Sequence, residues 1–204
     1  MDRADLMTVA EQSEQFLCTA LNDDWNTPIP DMEWTVAEAV AHMCESPLWY
    51  AFDLSAGETQ LDTLTIAGKA DSTLSELIAT LRATTRVLAS VVSTSDPADR
   101  GAHPFGLSDA SGYIAMACAE ILIHTDDAAR GLGRSFEGDP DIAVRLLAQL
   151  MRLSPEGQPA WDVLRWAHGR MELPDRPRPE RWRWYLHPVE AREGAESSSE
   201  YAGE

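Results

Sequence analysis

Glu120 and His124 stand four residues apart in AMACAEILIHTDDAARGLGR, residues 115–134, where every position from Ala115 to Ile123 except Glu120 is apolar. On a helix this spacing places both side chains on one face with Cβ atoms about 5–6 Å apart, within reach of a common point. A helix apolar on all sides is buried, and a buried carboxylate costs several kcal/mol unless something cationic faces it. A hydrogen-bonded core pair or a surface pair would satisfy the same spacing. A metal site needs a third ligand from another segment, and His42 is the histidine set in a second apolar pattern, among Ala39, Val40, Ala41 and Met43. Glu38 and Glu45, four before it and three after, offer the plainer alternative of a partner on its own helix.

Two imidazoles and one carboxylate suit a divalent metal with an open coordination position. Zn²⁺ is the first expectation, and Ni²⁺, Fe²⁺ and Mn²⁺ accept the same donor types. An open position points to catalysis rather than to a structural clip. Asp127, three residues after His124, lies on the same face and is placed either to orient His124 or to pair with Arg130 or Arg134 outside the core. Cys44 and Cys118 each sit two residues from an expected ligand and so point about 200° away around their helices, which assigns them to packing. Arg82 and Arg86, one turn apart, are weak candidates for binding an anionic substrate, against a solvated basic face. Trp49, Tyr50, Phe52, Trp182 and Trp184 could line a substrate cavity or simply fill the core.

The elements that must hold these residues are helical. Apolar spacing predicts a first helix over residues 4–21, and a Thr35-Val36-Ala37-Glu38 capping box starts a second that should end near Ser46-Pro47. A third helix is predicted over residues 72–92. A fourth, capped by Ser108 or Ser111, runs to about Arg130 and is closed by Gly131 and Gly133. Shorter helices are expected at 141–153 and 158–171. No hairpin dipeptide sits between alternating strands. The fold class is therefore all-α, a four-helix bundle with additional short C-terminal helices. Residues 1–173 are read as the bundle and 174–204 as an extended Pro- and Trp-containing segment laid over it, followed by a disordered acidic tail.

The chain has 204 residues, 44% hydrophobic and 25% charged, enough for one well-cored domain. A net charge of -18, with 16 Lys and Arg against 34 Asp and Glu, excludes the basic footprint of a nucleic-acid binder. No apolar run spans a bilayer and the first residues lack a secretion signal, so a cytoplasmic protein with no membrane partner is expected. Three widely spaced cysteines argue for reduced core thiols rather than a disulfide framework. Nothing in the sequence chooses between monomer and homodimer.

WTVAEAVAHMCESP, AEILIHTDDAARGLG and WDVLRWAHGR, taken in this order, resemble the DinB-like superfamily and more closely its mycothiol-dependent maleylpyruvate isomerase branch. The resemblance implies a DinB-like bundle and a divalent metal, usually zinc, held by His42, Glu120 and His124 with Asp127 behind them. It also implies mycothiol as cosubstrate in actinobacteria. Its chemistry would be a thiolate that adds to a conjugated double bond for isomerisation, or displaces a group from a small electrophile for S-transfer. A metal-binding protein without turnover is the alternative. Maleylpyruvate isomerases carry a further C-terminal domain that supplies a basic catalytic residue, and the 34 residues after Arg170 are too few for it. Isomerisation of maleylpyruvate itself is therefore not the expected activity.

Overall fold

The computed structural model describes residues 1–186. The acidic tail expected to be disordered, residues 191–204, lies outside them.

Four long helices form the bundle: α1 (Arg3–Thr19), α2 (Val36–Ala56), α3 (Leu74–Thr94) and α4 (Ala110–Gly131). Helices α1 and α2 each pack against both α3 and α4. Capping boxes start the first three, with Asp2 and Asp5, Thr35 and Glu38, and Thr73 and Glu76 bonding each other's backbone amides. The cap of α4 is Asp109, which accepts from the Gly112 N–H, rather than either serine expected in that role. The Ser108 hydroxyl instead donates to the Asp109 carbonyl.

Helix α2 does not stop at Pro47 but continues for nine more residues. Proline removes one hydrogen bond and crowds the preceding turn, a cost of about 3 kcal/mol in a helix interior. Burial of Pro47, Tyr50, Ala51 and Leu54 against the bundle outweighs it. Helices α2 and α4 run antiparallel. The start of α2 meets the end of α4, where a Cβ on Gly131 would come within 2.6 Å of Val36, and Tyr50 meets Tyr113 at the other end with ring centroids 5.9 Å apart.

Two three-residue strands, β1 (Gly101–His103) and β2 (Gly106–Ser108), form a hairpin between α3 and α4 that the sequence did not announce. Its two turn residues are Pro104 and Phe105, not the Asn-Gly or Asp-Gly type that marks such turns. After α4 come α5 (Pro140–Leu146), a π-helical turn over Leu147–Met151, and α6 (Ala160–Ala167). The extended stretch after Leu173 lies over the bundle as expected, with Trp184 and Leu186 buried and the Tyr185 N–H bonded to the Leu150 carbonyl. Among the described residues no helix is long and apolar enough to cross a membrane. Cys44 and Cys118 are buried, but Cys18 is exposed on α1 rather than in the core.

Candidate metal centre

Because α2 and α4 lie side by side, His42, two turns into α2, faces Glu120 and His124 in the middle and second half of α4. One ligand atom from each lies within 4.8 Å of the other two. Glu120 Oε2 is 3.3 Å from His42 Nε2 and 3.1 Å from His124 Nε2. Trp34, just before α2, covers the two imidazoles, its ring 5.0 Å from that of His42 and 5.6 Å from that of His124.

The outer nitrogens settle which ring atoms face inward. His42 Nδ1 lies 2.8 Å from Glu45 Oε1, and His124 Nδ1 lies 3.0 Å from Asp127 Oδ2. A carboxylate accepts, so each Nδ1 carries a proton, and with a metal ion bound each Nε2 would turn its lone pair toward the point that Glu120 also faces. Asp127 is fully buried and also accepts from Arg170 Nε and Nη2 and from Arg130 Nη1. Asp127 thus contacts both His124 and Arg130, and its pairing with Arg130 is part-buried rather than outside the core. Burial alone would raise its pKa, but His124 and Arg170 hold it down at about 2.

The electrostatics call for positive charge at the centre. Burial alone would raise the Glu120 carboxyl, yet the two imidazoles hold it well below the usual carboxylate range. Burial would lower His124, yet Asp127 and Glu120 raise it to about 9, and His42 is raised against burial by Glu120. Ring protons on Nε2 would supply that charge in the metal-free protein, and a divalent ion held by the same three atoms would supply it in their place. Glu120 Oε2 is left buried with no hydrogen-bond partner among the described residues. Three donor atoms that converge without bonding one another fit a metal ion.

Two cavities open from the triad. The larger, about 570 Å³, runs along α2 past Ser46 and Tyr50 to Asp53, walled by residues 60–62 and by His103 and Pro104 of the hairpin. The smaller, about 250 Å³, is largely apolar and lies under Trp34, Ile123, Trp182 and Trp184. Trp49, Tyr50, Trp182 and Trp184 thus do line cavities, whereas Phe52 does not. Arg82 and Arg86 line neither. Arg82 forms an ion pair with Glu14 of α1, and both arginines are exposed on the outer face of α3. Both therefore lie apart from the two cavities described, on a solvated face.

Four residues of this region escaped the sequence reading. Glu45 was visible only as a competitor for His42, whereas it is a companion of the metal reading. Asp53 lies eleven residues after His42, close to three full turns, so its place on the same face was legible. Arg170 meets Asp127 across 43 residues of sequence, and His103 enters on the hairpin; neither leaves a local signal.

A family model described as the mycothiol maleylpyruvate isomerase N-terminal domain matches residues 6–129. That span contains His42, Glu120, His124 and Asp127. No curated protein and no solved structure matches the chain.

Proposed function

The chain belongs to the mycothiol maleylpyruvate isomerase N-terminal domain family, and from that membership we propose that it is a divalent-metal-dependent enzyme activating mycothiol for S-transfer to, or thiol-assisted isomerisation of, a small electrophile. The observation that carries this reading is the buried Glu120 Oε2 set between the inward-facing Nε2 atoms of two histidines, the three atoms within 4.8 Å of one another. His42, Glu120 and His124 would hold the ion, with zinc the first expectation. A bound divalent ion lowers the pKa of a coordinated thiol and so supplies the thiolate, the nucleophilic form.

The chain's own residues do the rest. Glu45 and Asp127 fix the tautomer and orientation of the two histidines, while Arg130 and Arg170 fix Asp127 in turn. Trp34 excludes water from one side of the rings. The two cavities allow the thiol and the electrophile to approach from different directions. In S-transfer the sulfur bonds to the electrophilic carbon, the displaced group leaves with the bonding electron pair, and the thiol proton passes to solvent.

The test is metal content by plasma mass spectrometry on untagged wild type, His42→Ala and Glu120→Ala, followed by a mycothiol conjugation assay with a chromogenic aryl halide. About one metal per wild-type chain, lost in both variants together with conjugation, supports the reading. A wild type that takes up no zinc would reduce the triad to a polar core network. A wild type that holds zinc but never conjugates would be a binding protein without turnover.

A further inference from the structure

The smaller cavity carries information that the metal reading does not use. It shares only His42 and Glu120 with the larger one, so it reaches the triad from a different side. Part of its wall, His168, Arg170, Trp182 and Trp184, lies beyond the span that the family model matches. What it admits is therefore set by residues of this chain that family membership does not describe.

Beyond the triad, its polar side chains are already committed. His168 Nδ1 donates to the Leu164 carbonyl at 2.8 Å and Nε2 accepts from Trp184 Nε1 at 3.2 Å, so both ring nitrogens are used and the ring is neutral. Arg170 gives Nε and Nη2 to Asp127 and Nη1 to the His168 carbonyl, so its charge is matched by a buried carboxylate. The uncharged donors left without an acceptor are the indole N–H groups of Trp34 and Trp182. A carboxylate lodged among these groups would give up its water for no unshared cation among the described lining residues, and would meet the Glu120 charge.

The rest of the surface is apolar and aromatic. Met32, Ala119 and Ile123 supply aliphatic contact, and the Trp182 ring lies 4.9 Å from that of His168 and 5.6 Å from that of Trp184, tilted by 56° and 49°. Rings set at such angles offer both faces and edges to another flat ring. The volume of about 250 Å³ exceeds the roughly 150 Å³ of an apolar cavity that takes up benzene, and so holds one substituted ring.

We propose that this chamber seats an uncharged aromatic compound, with its reacting carbon at the triad end and its ring among the tryptophans, and that it rejects the same ring carrying a carboxylate. The proposal deepens the functional reading above and rests on it for one identification, that the occupant is the electrophile. In that seat the thiolate sulfur bonds to the ring carbon bearing the leaving group, which departs with the bonding electron pair, while the thiol proton passes to solvent.

The experiment uses two thiol-unreactive probes that differ by one carboxylate, nitrobenzene and meta-nitrobenzoate, titrated by calorimetry and saturation-transfer NMR into the metal-free full chain. Trp182 lines this chamber and not the larger cavity, so its variants locate the site. Nitrobenzene should bind at least tenfold more tightly than meta-nitrobenzoate, and about tenfold more weakly to Trp182→Ala than to wild type. Trp182→Phe keeps a ring, should lose less, and guards against misfolding of the alanine variant. Failure of nitrobenzene to bind, equal binding by wild type and both variants, or comparable binding of meta-nitrobenzoate would overturn the proposal. With zinc and mycothiol, chlorodinitrobenzene should be accelerated over its uncatalysed rate more than chlorodinitrobenzoate; the reverse preference would keep the metal-dependent function and sink the assignment of the chamber. Nitrobenzene binding in a protein that takes up no zinc would sink that function and leave the ligand class standing.

Discussion

Asp53 and Asp127 are both buried carboxylates, yet their surroundings send them in opposite directions. Asp127 accepts from two arginines and a histidine and is held down at about 2, whereas Asp53 lacks such donors and is pushed from 3.8 up to about 6. The folded state thus binds a proton at Asp53 more tightly than the unfolded chain, and wild-type stability should fall as pH rises through roughly 4 to 6. Asp53→Asn removes that loss. We expect the variant to melt about 2–4 °C above wild type at pH 8, a gain of about 1 kcal/mol once partial solvation is discounted, and to match it near pH 4. Thermal unfolding at both pH values checks this, and a difference independent of pH would place its origin elsewhere than in the charge. His42, Glu120, His124 and Asp127 were legible because each sits in a helical pattern whose period fixes the direction of the side chain. Arg170 was not, since its meeting with Asp127 depends on how α6 docks.

Among the elements, apolar stripes and one capping box placed the starts of the four long helices, and the ends of all but α2, to within a few residues. The failures came where tertiary burial overrode a local signal. Pro47 is a strong break in isolation, but the stretch after it carries the apolar face that completes the bundle, so α2 continues. The segment between α2 and α3 shows the converse, a loop whose path is set by one glycine. A Cβ on Gly68 would lie 2.1 Å from the Ala41 carbonyl oxygen, so Gly68→Ala must lift the loop from α2. Lifting it breaks the bonds from the Gly68 N–H to Glu45 and from Trp49 Nε1 to the Ile66 carbonyl. The expected cost is about 1–3 kcal/mol, with faster proteolytic cutting within residues 57–73. An unchanged cutting rate would show that the loop is not anchored there.

At the scale of the whole molecule, the bundle and the chain that follows it share the work unequally. All three expected ligands come from α2 and α4, while the extended stretch after Leu173 closes the smaller cavity from outside. Trp184 is its anchor, 4% exposed, with Nε1 donating to His168 Nε2 at 3.2 Å. Burial pushes His168 down to about 4, which keeps that nitrogen a neutral acceptor. Trp184→Ala should therefore cost about 3–5 kcal/mol of stability while leaving metal stoichiometry unchanged. Parallel melting curves and metal analysis test both halves, and loss of metal in a folded variant would make this stretch part of the site. The sequence foretold that these tryptophans lie over the bundle, but the ring-to-ring register that places them beside the triad is a product of packing.

Glu45 grips His42 Nδ1 with one carboxylate oxygen and the Gly68 N–H with the other, at 2.8 and 2.7 Å. The same loop supplies residues 60–62 to the wall of the larger cavity. A displacement of that wall is consequently transmitted through a single side chain to the imidazole that faces Glu120. Enclosure of an occupant and aim of the ring thus become one mechanical coordinate, and the chamber does not widen there without loosening its own hinge at the triad.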